Sequence, residues 1–336
     1  MNHFITSTLL WIGALGAAFV WAGWPAVLTC FLLTLMEVSF SFDNAVVNAT
    51  VLKHMDTKWQ NRFLTWGMLV AVFGMRFLFP ILVVAFATGL SVADVTGLAL
   101  HHPAEYTNHV LASHVQIGAF GGMFLLMVFL HFILDEHKKI HWIEMIESKL
   151  VQLGKLEAIE VVVALIVLLI ADACLDADQQ LHALMAGIVG IILYVLVSGI
   201  SALISQPAGA VRGKIYSGMA GFIYLQFLDA SFSLDGVIGA FAISKDIVII
   251  MLGLGAGAMY VRSLTVSLVR QGTLDKYKYL EHGAHYGIGV LAVIMLITIS
   301  HPVPEMITGL VGVVFIGLAL FSSVRLNRKR RVVTPH

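Results

Sequence analysis

Ten stretches of this 336-residue chain are long and apolar enough to be read as bilayer spans. A chain inside a bilayer must satisfy its own backbone hydrogen bonds, so each such stretch is expected as an α-helix. The stretches are 4–22, 25–52, 63–90, 114–134, 157–173, 182–204, 215–243, 247–269, 283–300 and 305–325. Only 12% of residues are charged and 59% are hydrophobic, whereas a soluble domain carries roughly 25% charged residues. The expected fold is all-α: a polytopic transmembrane bundle of about ten helices, forming a single integral membrane domain over 1–336.

The loops order these helices across the membrane, because Lys and Arg collect on the cytoplasmic side. Lys53, Lys58 and Arg62 lie in one loop, and Asp94 and Glu105 in the next. Segment 135–156 carries Lys138, Lys139, Lys149 and Lys155. Loop 174–181 has Asp176 and Asp178 and no basic residue, and Arg212 and Lys214 follow. Arg270, Lys276 and Lys278 come next, then the uncharged His-Pro-Val-Pro at 301–304 and a basic tail from Arg325 to Arg331. Lys245, offset by Asp246, is the exception. The alternation predicts both termini in the cytoplasm and a bacterial inner membrane as the setting. Segment 135–156 is expected to be a cytoplasmic or interfacial helix. The basic tail reads as a topology signal touching anionic lipid, not as a nucleic-acid site. Net charge is zero, and Cys30 and Cys174 have no disulfide or metal-type spacing.

One polar string occurs twice. Glu37-Val38-Ser39-Phe40-Ser41-Phe42-Asp43-Asn44 matches Asp229-Ala230-Ser231-Phe232-Ser233-Leu234-Asp235-Gly236 at an offset of 192 residues. The expected topology sets the two copies antiparallel in the membrane. A first repeat at 25–134 and a second at 215–325 would then form an inverted pair, a common transporter plan with the substrate site at the repeat interface. An arginine follows each motif one helix later, Arg76 and Arg262.

Each intramembrane acid costs about 2.5–3.5 kcal/mol on insertion scales. Four acids against two arginines leave a formal charge of −2, which a divalent cation or protonation would neutralise. The candidate metal ligands are Glu37, Ser41, Asp43, Asn44, Asp229, Ser233 and Asp235, with Arg76 and Arg262 as counter-charges. All seven offer oxygen, the donor that suits Mg, Ca or Mn. Met36 beside Glu37 reads as packing. Residues i and i+6 of a helix are about 120° and about 9 Å apart. Glu37 and Asp43 therefore cannot chelate one ion from a straight helix. Either the helix unwinds near Ser39–Ser41, or the two acids serve different ions or access states.

The motif residues, with Gly121-Gly122-Met123-Phe124-Leu125 and the Tyr-Leu-Glu-His-Gly-Ala-His-Tyr segment at 279–286, resemble the TerC family of membrane proteins, within the wider LysE-like transporter superfamily. The resemblance covers most of the chain. It implies manganese export from the cytoplasm and an association with tellurite resistance. It also implies that Asp43, Asn44 and Asp235 are the key positions, with Glu37 and Asp229 as companion acids. Gly236 stands where better-known members carry Ser.

The expected function is secondary transport of a divalent metal, with no enzyme activity and no resident cofactor. The ion and the lipid bilayer are the expected partners. Two other classes are open: a membrane metal sensor or chaperone partner that binds without transport, and an intramembrane aspartyl hydrolase using Asp43 and Asp235. The acids could also be plain ion pairs to Arg76 and Arg262. Glu281, His282 and His285 read either as a metal-entry or proton-relay site or, more simply, as a solvated helix start. His131, Asp135, His137, His141 and Glu144 read as a regulatory metal site or an amphipathic surface face. His101, His102, His109 and His114 read as loop histidines. Gly253, Gly255 and Gly257 are spaced for close helix packing and follow no phosphate-loop pattern.

Overall fold

The computed structural model describes the backbone of residues 2–70, 74, 78–136, 138, 140–204 and 218–333. Arg76 and His137 lie outside the described residues, and so do the side chains of Ser233 and Asp235. Among the described residues the chain is helical, without strands. Among the described residues six helices are long and apolar enough to cross a membrane, which makes this an integral membrane protein of the polytopic helical class.

The first helix, α1 (Asn2–Phe40), is a folded-back pair. Its backbone leaves the helix at Ala22 and at Gly23, where φ is +72°, a left-handed value that glycine adopts without steric cost. Pro25 then opens the second arm with a pre-set φ. Trp11 packs on Phe31 across the fold, with ring centroids 5.9 Å apart. The expected spans 4–22 and 25–52 thus begin as two arms, and the second is interrupted at Ser41 before α2 (Phe42–Leu52).

The next elements are α3 (Thr57–Leu69) and α4 (Phe79–Thr88), within the expected span 63–90. The expected external loop 91–113 is instead two short helices, α5 (Val92–His101) and α6 (Pro103–Ala112). Ser91 caps the first by accepting the Asp94 N–H and donating to its carboxylate. Pro103 starts the second, and Val95, Ala99, Tyr106 and Val110 bury one face of the pair. Burial holds the Tyr106 phenol in its neutral form, pushing its pKa well above the usual 10.

Then follow α7 (His114–Leu134), α8 (Glu144–Leu153) and α9 (Ile159–Asp172). The last has 14 residues, about 21 Å of helix, which is short for the roughly 30 Å hydrocarbon core. The chain continues with α10 (Ala177–Ile204), α11 (Gly218–Ile243), α12 (Ile247–Arg270), α13 (Thr273–Lys276), α14 (Leu280–Thr298) and α15 (Glu305–Val333). Asp246 caps α12 by accepting the N–H groups of Val248 and Ile249.

Burial separates inner from outer helices. The apolar windows of α7, α12 and α14 are 78%, 72% and 67% buried, whereas those of α1, α10 and α15 are 22–33% buried. The first three form the packed centre, and the others present Leu, Ile, Val and Trp side chains outward, where lipid takes the place of water. The glycines of α12 let it sit against the second arm of α1. Gly253 faces Cys30 and Leu33, and Gly257 faces Thr34 and Glu37. A Cβ at Gly257 would lie 2.5 Å from that of Glu37. The opposite arm is fixed by the Ser7 hydroxyl, which donates to the Met259 carbonyl.

Candidate functional site

The two polar strings meet where α2 and the second arm of α1 cross α11. The Asn44 amide donates to the Asp229 carboxylate at 2.9 Å. Glu37 lies against Gly236, where an added Cβ would stand 3.4 Å from Glu37 Oε2. Position 37 is level with 236 and position 44 with 229, so the two segments run antiparallel. The pairs are also equivalent, since the 192-residue offset turns Glu37 into Asp229 and Asn44 into Gly236. One pair has acid facing amide. The other has acid facing glycine.

Every described motif acid is buried. Glu37, Asp43 and Asp229 are 3%, 4% and 5% exposed, values that require each to be compensated locally. Glu37 accepts the Ser41 hydroxyl at 2.9 Å. Asp43 accepts the Asn44 N–H at 2.9 Å and is held against glycine backbone on α14 and α15. A Cβ at Gly312 would lie 2.6 Å from the Asp43 carboxyl carbon, and one at Gly287 would be 3.9 Å from its Oδ2. Glu37 therefore faces α11 and α12, while Asp43 faces α14 and α15. The helix is interrupted between them at Ser41, with φ −101° and ψ 19°. Helical hydrogen bonds still run from Ser41 N–H to the Glu37 carbonyl and from Ala45 N–H to the Ser41 carbonyl. The second copy has no such interruption, since α11 is continuous.

Arg262 reaches this cluster from α12. Its Nη2 is 3.7 Å from Asp229 Oδ2, its Nη1 donates to the Phe63 carbonyl at 2.6 Å, and the guanidinium lies over the Phe63 ring at 4.3 Å. Gly67 makes the space: a Cβ there would be 2.8 Å from Arg262 Nη1 and 2.9 Å from Gln226 Nε2.

Sequence reasoning missed several neighbours. Asn48 lies one turn beyond Asn44, and Gln226 nearly one turn before Asp229. Both are buried, and extending the polar string at helical spacing would have found them. Asn44 Oδ1, Asn48 Oδ1, Gln226 Oε1 and Nε2, and Asp229 Oδ2 have no hydrogen-bond partner among the described residues. Buried polar atoms of this kind call for an ion or water. Among the described residues, no three His, Cys, Asp or Glu side chains converge as a metal centre. Beside Glu37 is a cavity of about 20 Å³, to which Met36, Ser41, Gly236 and Thr308 contribute. Thr308 comes from α15 and had no signal in the repeat.

The histidine-bearing segments build a second polar cluster, centred on a residue the sequence reading did not single out. Glu147 of α8 is fully buried. Its Oε2 lies 2.8 Å from Lys138 Nζ, 3.4 Å from His141 Nδ1 and 3.6 Å from His282 Nε2. Its Oε1 accepts the N–H groups of Trp142 and Ile143 and the Tyr286 hydroxyl. Burial pushes the Glu147 carboxyl up, but these donors outweigh it and hold the group below the usual glutamate value. Burial also pushes Lys138 down against the pull of Glu147. Glu147 sets the direction of the pair because several donors converge on it.

His282 and His285 are buried, so the solvated helix start is corrected. The ring of His282 hydrogen-bonds the Ile140 carbonyl at 2.8 Å, and His285 stacks on Phe132 with centroids 3.8 Å apart. His131 pairs with Glu160 at 3.2 Å. His101 and His102 are exposed.

Fold and site together define a helical integral membrane protein with a buried acid, amide and arginine cluster. The chain belongs to the family described as Protein of unknown function (DUF475), whose model matches residues 42–330. No curated protein and no solved structure matches it.

Proposed function

We propose that the chain is a secondary transporter of divalent metal cations, manganese foremost, and not an enzyme. The observation that carries the reading is the antiparallel meeting of the two polar strings, Asn44 with Asp229 and Glu37 with Gly236. Packing alone rarely requires two copies of one costly polar string, and antiparallel copies are the arrangement that alternating access uses. On this reading 25–134 and 215–325 are inverted units that rock about the crossing, within a ten-span topology with both termini in the cytoplasm of a bacterial inner membrane. Glu37, Asp43, Asp229 and Asp235 supply charge. Ser41, Ser233 and Asn44 supply neutral oxygens, the donors that suit manganese. Arg262, and Arg76 in the first unit, hold the acids when the ion has left. The likeness of the motif to the TerC family points the same way.

Protons are the natural counter-ion, because carboxylates must lose them to bind metal. The test is growth of manganese-sensitive bacterial cells in excess Mn²⁺. The intact protein is expected to protect them, and Asp43→Asn and Asp235→Asn to remove that protection. Full protection by both variants would overturn the reading.

A further inference from the structure

The cavity beside Glu37 contains chemistry that the repeat does not predict. Its volume is about 20 Å³, room for roughly one water-sized particle. A hydrated ion does not fit. The donors around it come from three sources. Glu37 and Ser41 belong to the first string. Thr308 adds a hydroxyl from α15, and Met36 adds a thioether one residue before Glu37. Phe40, Phe232 and Leu291 close the remaining wall with apolar surface, which offers an ion nothing in exchange for its water. Gly236 completes the cavity because it has no side chain: a Cβ there would already be in van der Waals contact with Glu37.

We propose that Met36 and Thr308 complete the ion's coordination at Glu37, with the Met36 thioether as the specificity-determining ligand that favours transition-series and softer divalent ions over Mg²⁺ and Ca²⁺. The inference rests on the transport reading and deepens it. Two physical filters act together. A cavity for a bare ion works against Mg²⁺, which sheds its water reluctantly and demands near-ideal octahedral oxygen. A thioether works against both hard ions, which gain little from sulfur. Thr308 supplies a neutral oxygen that all these ions use alike. It also ties α15 to the site, on the same helix whose Gly312 is packed against Asp43.

The test uses the purified full-length protein with both cysteines replaced, Cys30→Ser and Cys174→Ser, so that Met sulfur alone is available. Cd²⁺, Mn²⁺ and Mg²⁺ are titrated separately. Met36→Leu keeps the volume nearly constant. It is expected to weaken Cd²⁺ about tenfold and to leave Mg²⁺ within about twofold, as loss of one soft ligand should. Thr308→Val is expected to weaken all three ions by similar factors. X-ray absorption at the cadmium edge of the Met36-containing protein, which needs no folded variant, should show a sulfur neighbour. An oxygen-only shell, or an unchanged Cd²⁺ to Mg²⁺ ratio in Met36→Leu, would overturn this inference and leave the transport reading standing. Failure of the Met36-containing protein to bind any of the three ions would overturn both.

Discussion

The two copies of the polar string share the order acid, Ser, Phe, Ser, Asp, yet they meet different surroundings. Asp229 faces an amide, Asn44, and a guanidinium, Arg262. Glu37 faces the bare backbone of Gly236 and a small cavity. The backbone register at the crossing is symmetric, because positions 37 and 44 sit level with 236 and 229. The side chains are not: four of the eight positions differ, and at the last of them Asn44 in one copy stands against Gly236 in the other. The crossing thus sets Asp229 against an amide and a guanidinium, and Glu37 against a serine hydroxyl and glycine backbone. The chain backbone reflects the same difference. The first copy is interrupted at Ser41 and the second runs through unbroken.

A buried carboxylate away from the two strings gives the largest expected effect and sets the scale. Glu147 lies against Lys138 and accepts two backbone N–H groups and the Tyr286 hydroxyl. Glu147→Gln strands the Lys138 ammonium and is expected to cost about 3–5 kcal/mol, as breaking one partner of a buried pair does. The pH signature follows from its lowered carboxyl pKa. The folded state binds this proton more weakly than the unfolded state. Its stabilisation is full above the unfolded value near 4.5 and is lost as pH falls through the lower folded value. Thermal unfolding in detergent between pH 6 and pH 3 should show a slope in the unmodified protein and a flatter one in Glu147→Gln. Added Mn²⁺ should not alter that slope.

Removing the amide beside Asp229 comes next. Asn44→Ala leaves the buried Asp229 Oδ1 without its donor and is expected to cost about 1–3 kcal/mol, read as a lower unfolding midpoint. If Asn44→Ala proves neutral, the amide does not hold Asp229 and the contrast between the two surroundings fails.

The smallest effect is the most pointed. Gly236→Asn would set an amide beside Glu37, as Asn44 sets one beside Asp229. The added Cβ falls at ordinary contact distance, 3.4 Å from Glu37 Oε2, so the net change in stability is expected within about 1 kcal/mol. The ligand response should move much more. An amide aimed at Glu37 occupies the cavity, and stabilisation by Mn²⁺ should fall sharply. Undiminished stabilisation by Mn²⁺ in Gly236→Asn would place the ion elsewhere.

The sequence made the helices legible where a continuous apolar run coincided with one straight segment. The expected 114–134 and 247–269 correspond closely to α7 and α12. It failed where a span is interrupted or short. The second expected span is split at Ser41, and 157–173 became a 14-residue helix. Apolar counting sees hydrophobicity and not backbone direction. The short helices at 92–112 were missed for a related reason. Their capping residues were readable, but a polar stretch between apolar runs reads first as a loop.

Within the site, the repeat pointed to Glu37, Asp43, Asn44 and Asp229, because each acid stands out in an aliphatic setting. It could not show that Glu37 and Asp43 face different helices, although helical geometry ruled out joint chelation from a straight segment. Gly67, Gly287 and Gly312 were invisible as site residues. A glycine matters here for what its missing side chain admits, Arg262 in one case and Asp43 in two, and that depends on a neighbour far away in sequence. Glu147 lay hidden among other charges on a helix that looks amphipathic. Its burial comes from tertiary docking, with Lys138 and His141 and with Tyr286 and His282 of α14 around it.

The most direct measurement of the central claim is Mn²⁺ movement in liposomes containing the purified protein, with and without a proton gradient. Glu37→Gln and Asp229→Asn are measured alongside the unmodified chain. The account predicts uptake by the unmodified protein that responds to the gradient and is lost in both variants. If no divalent cation moves while Mn²⁺ still binds, the crossing of the two strings is a sensor site and not a transport path.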